Sequence, residues 1–258
     1  MEFIEYGQVK AVGVIKLNRP KSFNSFTVPM AKELQACLDQ CKLNPEIRAI
    51  LITGNGKAFC AGQDLKEATG ENAPKIEELI EVTYEPIIKR IRSVEKPIVA
   101  AVNGVAAGAG ANIALACDLT LAGESAGFIQ AFSSIGLVPD SAGSYTLPRL
   151  VGMQRAAAQF YLAEKVSAKE AQDMGMIYKC VPDSELMEAS ITLALTLSSR
   201  PTKAIGFTKR LLNATFENSL NDQLALEKEL QAKAGKTNDN KEGIAAFLEK
   251  RKPNFIGS

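Results

Sequence analysis

Two turns rich in small residues are the parts of this sequence whose residue types and positions could do chemistry. Their sequences are Ala61-Gly62-Gln63 and Gly108-Ala109-Gly110. Each turn follows a predicted strand and begins a predicted helix, where backbone N–H groups are unpaired and lie at the positive end of the helix dipole. Two such turns at neighbouring strand ends can direct two N–H groups at one oxygen, as in an oxyanion hole. Small residues also serve tight packing, which is the favoured interpretation of one turn by itself, and it is the pair of turns that favours the oxyanion hole.

The chain of 258 residues contains no histidine. This excludes Ser-His-Asp and Cys-His catalysis as well as His-ligated zinc and haem. A proton-transfer group must therefore be a carboxylate, Lys, Tyr or Cys whose pKa is shifted by its surroundings. Asp140 is one candidate, but the run Pro139-Asp140-Ser141 followed by Ala and Gly is also good turn chemistry. The residues alone leave both interpretations of Asp140 open.

The composition limits the classes of partner and cofactor that the protein is expected to bind. Thirty Lys and Arg against 29 Asp and Glu give a net charge of +1, which gives no reason to expect nucleic acid or an anionic membrane. The five cysteines form no CxxC pair and predict reduced thiols in the cytoplasm, with no metal site. The start MEFIEYGQVK is unlike a signal peptide, and no apolar run is long enough to span a membrane. The glycine spacing fits neither a dinucleotide fingerprint nor a Walker loop, so we expect no separate cofactor.

The elements that must position these groups follow from hydrophobic periodicity. It predicts a hairpin of residues 3–6 and 11–17 with its turn at Gly7-Gln8, then strands at 47–53, 97–102 and 119–122 and helices at 30–43 and 76–91. Short apolar strands alternating with helices favour a parallel sheet. Further helices are predicted at 154–162, 167–174, 184–199, 202–212, 220–233 and 242–250. We therefore expect a β-rich body over 1–200 that carries the site and a helical region over 201–258.

Five motifs spread along the chain carry a resemblance to a known family. They are LNRPKSFNS at 17–25, FCAGQDL at 59–65, PIVAAVNG at 97–104, SAKEA at 167–171 and KEGIAAFLEKR at 241–251. In this order they resemble the crotonase, or enoyl-CoA hydratase/isomerase, superfamily. The resemblance implies an α/β spiral of repeated ββα units with a helical C-terminal region that assembles trimers or dimers of trimers. It also implies an acyl-CoA thioester substrate whose carbonyl oxygen accepts from the backbone N–H groups of Gln63 and Ala109.

The sequence departs from the hydratase pattern at both proton-transfer positions. Hydratases of this superfamily carry a Glu three residues after the second oxyanion donor, where this chain has Asn112, and another Glu where it has Phe132. Neither side chain exchanges protons near neutral pH. Asp140 instead occupies the position of the catalytic Asp in dienoyl-CoA isomerases, and the surrounding residues most resemble the ring-1,2-epoxyphenylacetyl-CoA isomerase subgroup.

The resulting prediction is an acyl-CoA isomerase in which Asp140 is the acid/base and Asn112 orients the substrate or a water. The alternatives are an enoyl-CoA hydratase, or a non-catalytic binder of acyl-CoA or RNA. Asp64 is interpreted as a helix cap and Cys60 as a packing residue, while Phe132, Leu137, Val138 and residues 66–82 are candidate pocket walls. Arg19, Lys57 and Arg251 are further candidates for the CoA phosphates. The predicted substrate- and CoA-binding residues are Lys21, Ser22, Phe23, Ala61, Gly62, Gly108, Gly110, Phe132 and Lys250.

Overall fold

The computed structural model describes residues 1–69 and 73–258, and its strands form two sheets. The larger sheet has the order β1-β2-β3-β5-β7-β10, in which β1 and β2 are antiparallel and the other pairs are parallel. The smaller sheet has the order β4-β6-β8-β9. The strands are β1 (Ile4–Val9), β2 (Val12–Leu17), β3 (Ala49–Gly54), β4 (Ala58–Cys60), β5 (Ile98–Val102), β6 (Val105–Ala107), β7 (Leu119–Gly123), β8 (Gly127–Ile129), β9 (Val166–Ser167) and β10 (Lys179–Val181).

Helices cover both faces of the larger sheet. Every residue of β3 and β5 is buried, as expected for parallel strands covered on two sides. The helices are α1 (Val28–Leu43), α2 (Leu65–Ala68), α3 (Ile76–Val82), α4 (Tyr84–Ser93), α5 (Ala109–Ala116), α6 (Gly143–Val151), α7 (Met153–Leu162), α8 (Ala168–Asp173), α9 (Leu186–Ser198), α10 (Thr202–Ala214), α11 (Leu220–Ala234) and α12 (Asn238–Leu248).

A repeated unit explains how the two sheets are joined. The successions β3-β4-α2, β5-β6-α5 and β7-β8-α6 each place a long strand in the larger sheet, a short one in the smaller sheet and then a helix. This confirms the predicted spiral of ββα units. Because β4 and β6 are parallel neighbours, their carboxyl ends and the turns that follow lie at the same edge.

The structure corrects several element predictions. The first hairpin does not turn at Gly7-Gln8: β1 continues to Val9, which pairs with Val12, and Lys10 takes the turn with a left-handed φ of 52°. The predicted helix 76–91 is two helices that meet at Thr83 (φ −110°, ψ −76°). The last helix begins at Asn238 behind its N-cap Thr237, and not at 242.

The boundary predicted at residue 200 falls between α9 and α10. In the described chain the last strand is β10, and α9 to α12 follow it. Residues 70–72 of the predicted wall segment 66–82 lie outside the described residues. In the part of the chain that the structure describes, no helix has the length and apolar character needed to cross a membrane.

Candidate active site

The two small-residue turns meet at the edge of the smaller sheet. Gly62 follows β4 and has a φ of +92°; a Cβ at this position would lie 3.0 Å from the Ala107 carbonyl oxygen and 3.8 Å from the Ala109 nitrogen. Ala107 is the last residue of β6, and Ala109 is the first residue of α5. The structure therefore brings the two sequence-predicted turns into contact.

The two predicted oxyanion donors have free N–H groups. Phe26 N–H donates to the Gly62 oxygen (2.7 Å) and Asp64 N–H donates to the Phe26 oxygen (2.9 Å), so the Gln63 N–H between them points to the opposite side. Ala109 is in the first turn of α5, where an N–H has no partner within the helix. Among the described residues neither N–H donates to a protein acceptor. Both remain available for a ligand oxygen.

Close backbone packing explains the glycines on the second turn. A Cβ on Gly110 would lie 2.4 Å from the Cys60 carbonyl oxygen, and Gly108 has a φ of +50° with ψ −124°. Burial raises the pKa of the Cys60 thiol to about 12. Cys60 is fully buried, which confirms the prediction that it is a packing residue. The start of α5 thus lies directly against the end of β4.

The side chain of Gln63 is held by residues of two helices, α4 and α2. Its Oε1 accepts from the Tyr84 hydroxyl at the start of α4, and its Nε2 donates to a Glu67 carboxylate oxygen at 3.1 Å. Glu67 also accepts from the Val28 N–H at the start of α1 (3.1 Å), where a negative charge favours the helix dipole. Burial, followed by the charges of nearby acidic groups including Asp140, raises the pKa of Tyr84 well above its usual value. Tyr84 is therefore a neutral donor.

Asp140 lies half-buried on the loop between β8 and α6. Burial raises the pKa of its carboxyl group, and the Ser141 hydroxyl, which donates to Asp140 Oδ1 at 2.8 Å, partly offsets this rise. Asp140 borders a cleft of about 490 Å³. Most of the lining is apolar, and the polar side chains Glu85 and Lys89 pair with each other. The apolar side chains are Ile76, Ile80, Ile88, Leu137 and Val138.

Asn112 contacts protein groups at both ends of its amide. Its Nδ2 donates to the Asp140 carbonyl oxygen (2.9 Å), and its Oδ1 accepts from Gln130 Nε2 (2.9 Å). The side chain is 1% exposed. This differs from the expectation that Asn112 orients the substrate or a water, because the amide is already engaged with the Asp140 loop.

Some of the predicted CoA-binding residues lie beside the two small-residue turns. Lys21 and Ser22 belong to a short 3-10 turn, and the exposed Phe23 follows it with a φ of 50°. The Phe23 carbonyl oxygen accepts from the Ala61 N–H at 3.0 Å. The buried Phe132 ring faces Gly108, where a Cβ would lie 3.7 Å from its Cζ. The structure thus brings Phe23, Ala61 and Gly108 together with the predicted donors.

Two of the candidates for the CoA phosphates form ion pairs within the protein, and three others are exposed lysines. Arg19 donates to Asp64 and to the Ser25 carbonyl oxygen, and Arg251 pairs with Glu242 and Glu249. These two guanidinium groups are therefore structural, which corrects their interpretation as phosphate ligands. Lys21, Lys57 and Lys250 are exposed. Asp64 caps α2 by accepting from the Lys66 N–H, as predicted.

Sequence reasoning missed three residues of this site, Tyr84, Glu67 and Gln130. Tyr84 lies in a segment whose helical spacing indicates only core packing. Glu67 lies in a charged stretch typical of a solvated surface. In the sequence, Gln130 is only one residue of a motif. Its burial beside Asn112, which indicates a polar network, is visible only in the folded chain.

The chain is similar to known proteins over almost its whole length. The family model described as "Enoyl-CoA hydratase/isomerase" matches residues 7–258. The chain is 42% identical to the 1,2-epoxyphenylacetyl-CoA isomerase of Escherichia coli K12, over 100% of this chain and 99% of the relative. It is 44% identical to a Rhodobacter capsulatus protein provisionally named an enoyl-CoA hydratase, over 98% of each chain. The crystal structure of an enoyl-CoA hydratase from Bacillus anthracis superposes with a TM-score of 0.94 at 32% identity, covering 99% of this chain and 100% of that one.

Proposed function

This chain belongs to the enoyl-CoA hydratase/isomerase family, and we propose that within this family it is an acyl-CoA isomerase. It moves a double bond along the acyl group, or interconverts a ring epoxide and its oxepin. The substrate is a CoA thioester, so CoA enters as part of the substrate and no further cofactor is invoked. The activity named for the Escherichia coli relative supports the ring reaction for this chain.

The proposed steps use one carboxylate and two backbone donors. The Asp140 carboxylate removes a proton from C2 of a 3-enoyl thioester, and the electron pair moves onto the thioester oxygen. The N–H groups of Gln63 and Ala109 stabilise this enolate oxygen, where one such donor contributes about 3–4 kcal/mol in a serine protease. Protonated Asp140 then returns the proton at C4 as the electrons form the C2–C3 double bond. The carboxylate is regenerated, and no water is consumed.

One observation carries the proposal: the half-buried Asp140 carboxylate borders an apolar cleft and has a raised pKa. A carboxylate in apolar surroundings is a stronger base than an ordinary Asp. Asn112, which supports the Asp140 loop, lies in α5, the helix that starts at the donor Ala109. The acid/base and the oxyanion donor are therefore attached to the same helix.

Hydration is the second candidate because several relatives carry hydratase names. Two glutamates serve the hydratases of this family, and this chain has Asn112 and Phe132 at the matching positions. A hydratase built on this chain would have to activate water with Asp140 alone. The single base favours isomerisation.

The test is turnover of a 3-enoyl-CoA and of 1,2-epoxyphenylacetyl-CoA in heavy water. We expect isomerised product from the chain substrate, with deuterium at C2 or C4 from those turnovers in which protonated Asp140 exchanges its proton with the solvent. Removing a general base costs about 10²–10⁴-fold in rate, so Asp140→Asn should lower kcat on the accepted substrate by this factor.

Glu85→Gln provides the matched control, since Glu85 lines the same cleft but pairs with Lys89. We expect this variant to keep most of the activity. Stoichiometric addition of water without isomerisation would replace the proposal by the hydratase alternative. Thioester binding with no turnover of either substrate would indicate a non-catalytic binder.

Assembly, location and CoA contacts belong to the same proposal. We propose a homotrimer or a dimer of trimers formed by the region 201–258, with a cytoplasmic location. Large apolar side chains exposed in this region support the assembly: Leu212, Phe216, Leu220, Leu224, Phe247 and Leu248. Lys21, Lys57 and Lys250 are the candidates to bind the CoA phosphates, because their ammonium groups are exposed. Size-exclusion chromatography with light scattering tests the assembly.

A further inference from the structure

The Asp140 loop is attached to the protein interior by a chain of side-chain amides. Gln130 Nε2 donates to Asn112 Oδ1, and Asn112 Nδ2 donates to the Asp140 carbonyl oxygen, both at 2.9 Å. Both amide side chains are only 1% exposed. We infer that Asn112 and Gln130 are positioning residues, whose amides fix the backbone of Asp140 so that its carboxylate reaches the substrate. This inference rests on the proposed function of Asp140.

The direction of this chain is determined by chemistry. A backbone carbonyl only accepts hydrogen bonds, so the Asn112 NH₂ group must face Asp140. The Asn112 oxygen must then face a donor, which sets the Gln130 NH₂ group towards it. As a result, the Gln130 Oε1 atom is buried with no partner among the described residues. Leaving a buried acceptor unpaired is unfavourable, so the orientation of Gln130 satisfies Asn112 and leaves the Gln130 oxygen without a hydrogen bond.

The loop closes tightly on the Asn112 amide. The Gly143 N–H donates to the same Asp140 oxygen at 2.8 Å, so both lone pairs of this carbonyl are engaged. A Cβ on Gly143 would lie 2.3 Å from Asn112 Nδ2, and glycine is therefore required for this contact. The turn between Asp140 and Gly143 passes through Ser141 and Ala142.

Backbone strain shows that the loop needs this support. Ser141 and Ala142 have φ values of 51° and 58°, in the left-handed region that non-glycine residues seldom adopt. Such conformations are strained and persist where surrounding contacts hold them in place. The hydrogen bonds from Asn112 and Gly143 hold the Asp140 carbonyl, which directly precedes the two strained residues.

An amide is required at position 112 because a carboxylate cannot perform both tasks. An ionised Asp or Glu accepts from Gln130 but cannot donate to the Asp140 carbonyl. It would also add a negative charge beside the catalytic carboxyl group. In the part of the chain that the structure describes, the ionisable groups that face Asp140 are Tyr84 and the Glu85–Lys89 pair, all on α4. Asn112 thus supports the base without changing the local charge.

The experiment compares kcat, KM and the pH profile for Asn112→Ala, Asn112→Asp and Gln130→Leu on the substrate that the wild type turns over. Misplacement of a catalytic group by about 1 Å costs up to about 10²-fold, so we expect kcat to fall about 10- to 100-fold for each variant, with KM nearly unchanged. The Asn112→Asp variant should also shift the acid limb of the pH profile upwards relative to Asn112→Ala, because its added charge opposes ionisation of Asp140.

Asn213→Ala is the matched control. Asn213 also uses its amide to join two elements, with Nδ2 donating to the Arg92 carbonyl oxygen (3.0 Å) and Oδ1 accepting from the Arg92 guanidinium, and it lies outside the site. We expect a loss of stability similar to that of Asn112→Ala, without the loss of kcat or the change in pH profile.

A double-mutant cycle makes the contact itself measurable. Gly143→Ala alone should reduce kcat, since its Cβ meets the Asn112 amide. In the Asn112→Ala background this collision disappears, so the same substitution should cost much less. Additive effects would show that the two residues act independently and would contradict the inference.

The outcomes separate this inference from the proposed function. If Asp140→Asn abolishes turnover while Asn112→Ala and Gln130→Leu retain wild-type kcat and pH profile, the positioning role is wrong and the proposed base stands. If Asp140→Asn retains activity, the proposed function is wrong, and with it the premise of the positioning role. Loss of kcat in all three positioning variants and retention in Asn213→Ala would support the inference.

Discussion

The oxyanion turns and the Asp140 loop differ in what fixes them. The turns that carry Gln63 and Ala109 follow strands of one sheet and pack backbone against backbone, as the contacts of Gly62 and Gly110 show. The Asp140 loop is supported through side-chain amides and contains two strained residues. Within one site, the proposed oxyanion donors are held by the backbone of the fold, and the proposed acid/base is held by side chains. We therefore expect the turns to tolerate substitutions that leave their backbone in place, and the loop to depend on the side chains that hold it.

Gly62→Ala should give the largest effect, because it disturbs the backbone of the oxyanion turns. A Cβ at φ +92° would be strained and would lie 3.0 Å from the Ala107 oxygen, which displaces the Gln63 N–H. Loss of one oxyanion donor costs about 10²–10³-fold in kcat, and this is the decrease we expect in steady-state assays.

The control for this prediction is Gly152→Ala. Gly152 has a similar φ of +80°, but a Cβ added there would have nothing within 4 Å. Both substitutions therefore put a Cβ on a backbone with positive φ, and the one at Gly62 adds a steric contact. If both variants lose activity equally, strain and not the donor geometry accounts for the effect.

Tyr84→Phe should have an intermediate effect. It tests whether the position of Gln63 also depends on a side-chain contact. The substitution removes the hydroxyl donor to Gln63 Oε1 and keeps the ring packed edge-on against Phe26 at 6.0 Å. Loss of a hydrogen bond worth about 0.5–1.5 kcal/mol predicts a decrease in kcat of up to about tenfold. Kinetics of Tyr6→Phe, whose hydroxyl contacts Cys41, control for the loss of a hydroxyl elsewhere.

Tyr84→Phe also sharpens the comparison of the two regions. A decrease as large as that of Asn112→Ala would mean that both sides of the site depend on side-chain support. The turns and the Asp140 loop would then not differ in what fixes them.

Ser141→Ala should give the smallest effect, a displacement of the pH profile. Burial raises the Asp140 pKa and the Ser141 hydroxyl opposes this rise, so its removal should raise the pKa further. The base must be ionised to act, and the acid limb of kcat/KM should therefore move to higher pH while the plateau changes little. Ser133→Ala, which removes a hydroxyl that donates to the Tyr161 carbonyl oxygen, should leave the limb in place.

The approach of the two small-residue turns could be predicted from the sequence because it depends on the backbone. Strand, small-residue turn and helix occur twice, around Gly62 and Gly108, and parallel packing then brings the turns together. No side-chain partner had to be known in advance. The spiral of ββα units was predicted from the family resemblance and not from the local pattern, because five strands between β4 and β10 have only two or three residues and give too little periodicity to be seen.

The support of the Asp140 loop could not be predicted because it depends on contacts between distant residues. Asn112 and Asp140 are 28 residues apart, and Tyr84 and Gln63 are 21 residues apart. No local periodicity reports such pairs. The resemblance identified Asp140 as a candidate base and Asn112 as a departure from the hydratases, but what the Asn112 amide contacts emerges only from the folded chain.

The position of α9 has a consequence for the order in which the chain acquires its structure. This helix covers a face of the larger sheet formed by buried residues such as Val12, Leu51 and Val99, and β10 joins that sheet beside β7. During synthesis, the residues of the site up to Asp140 leave the ribosome well before α9 does. The nascent chain therefore presents an uncovered apolar sheet face until about residue 198, and we expect this interval to be when it most needs a chaperone.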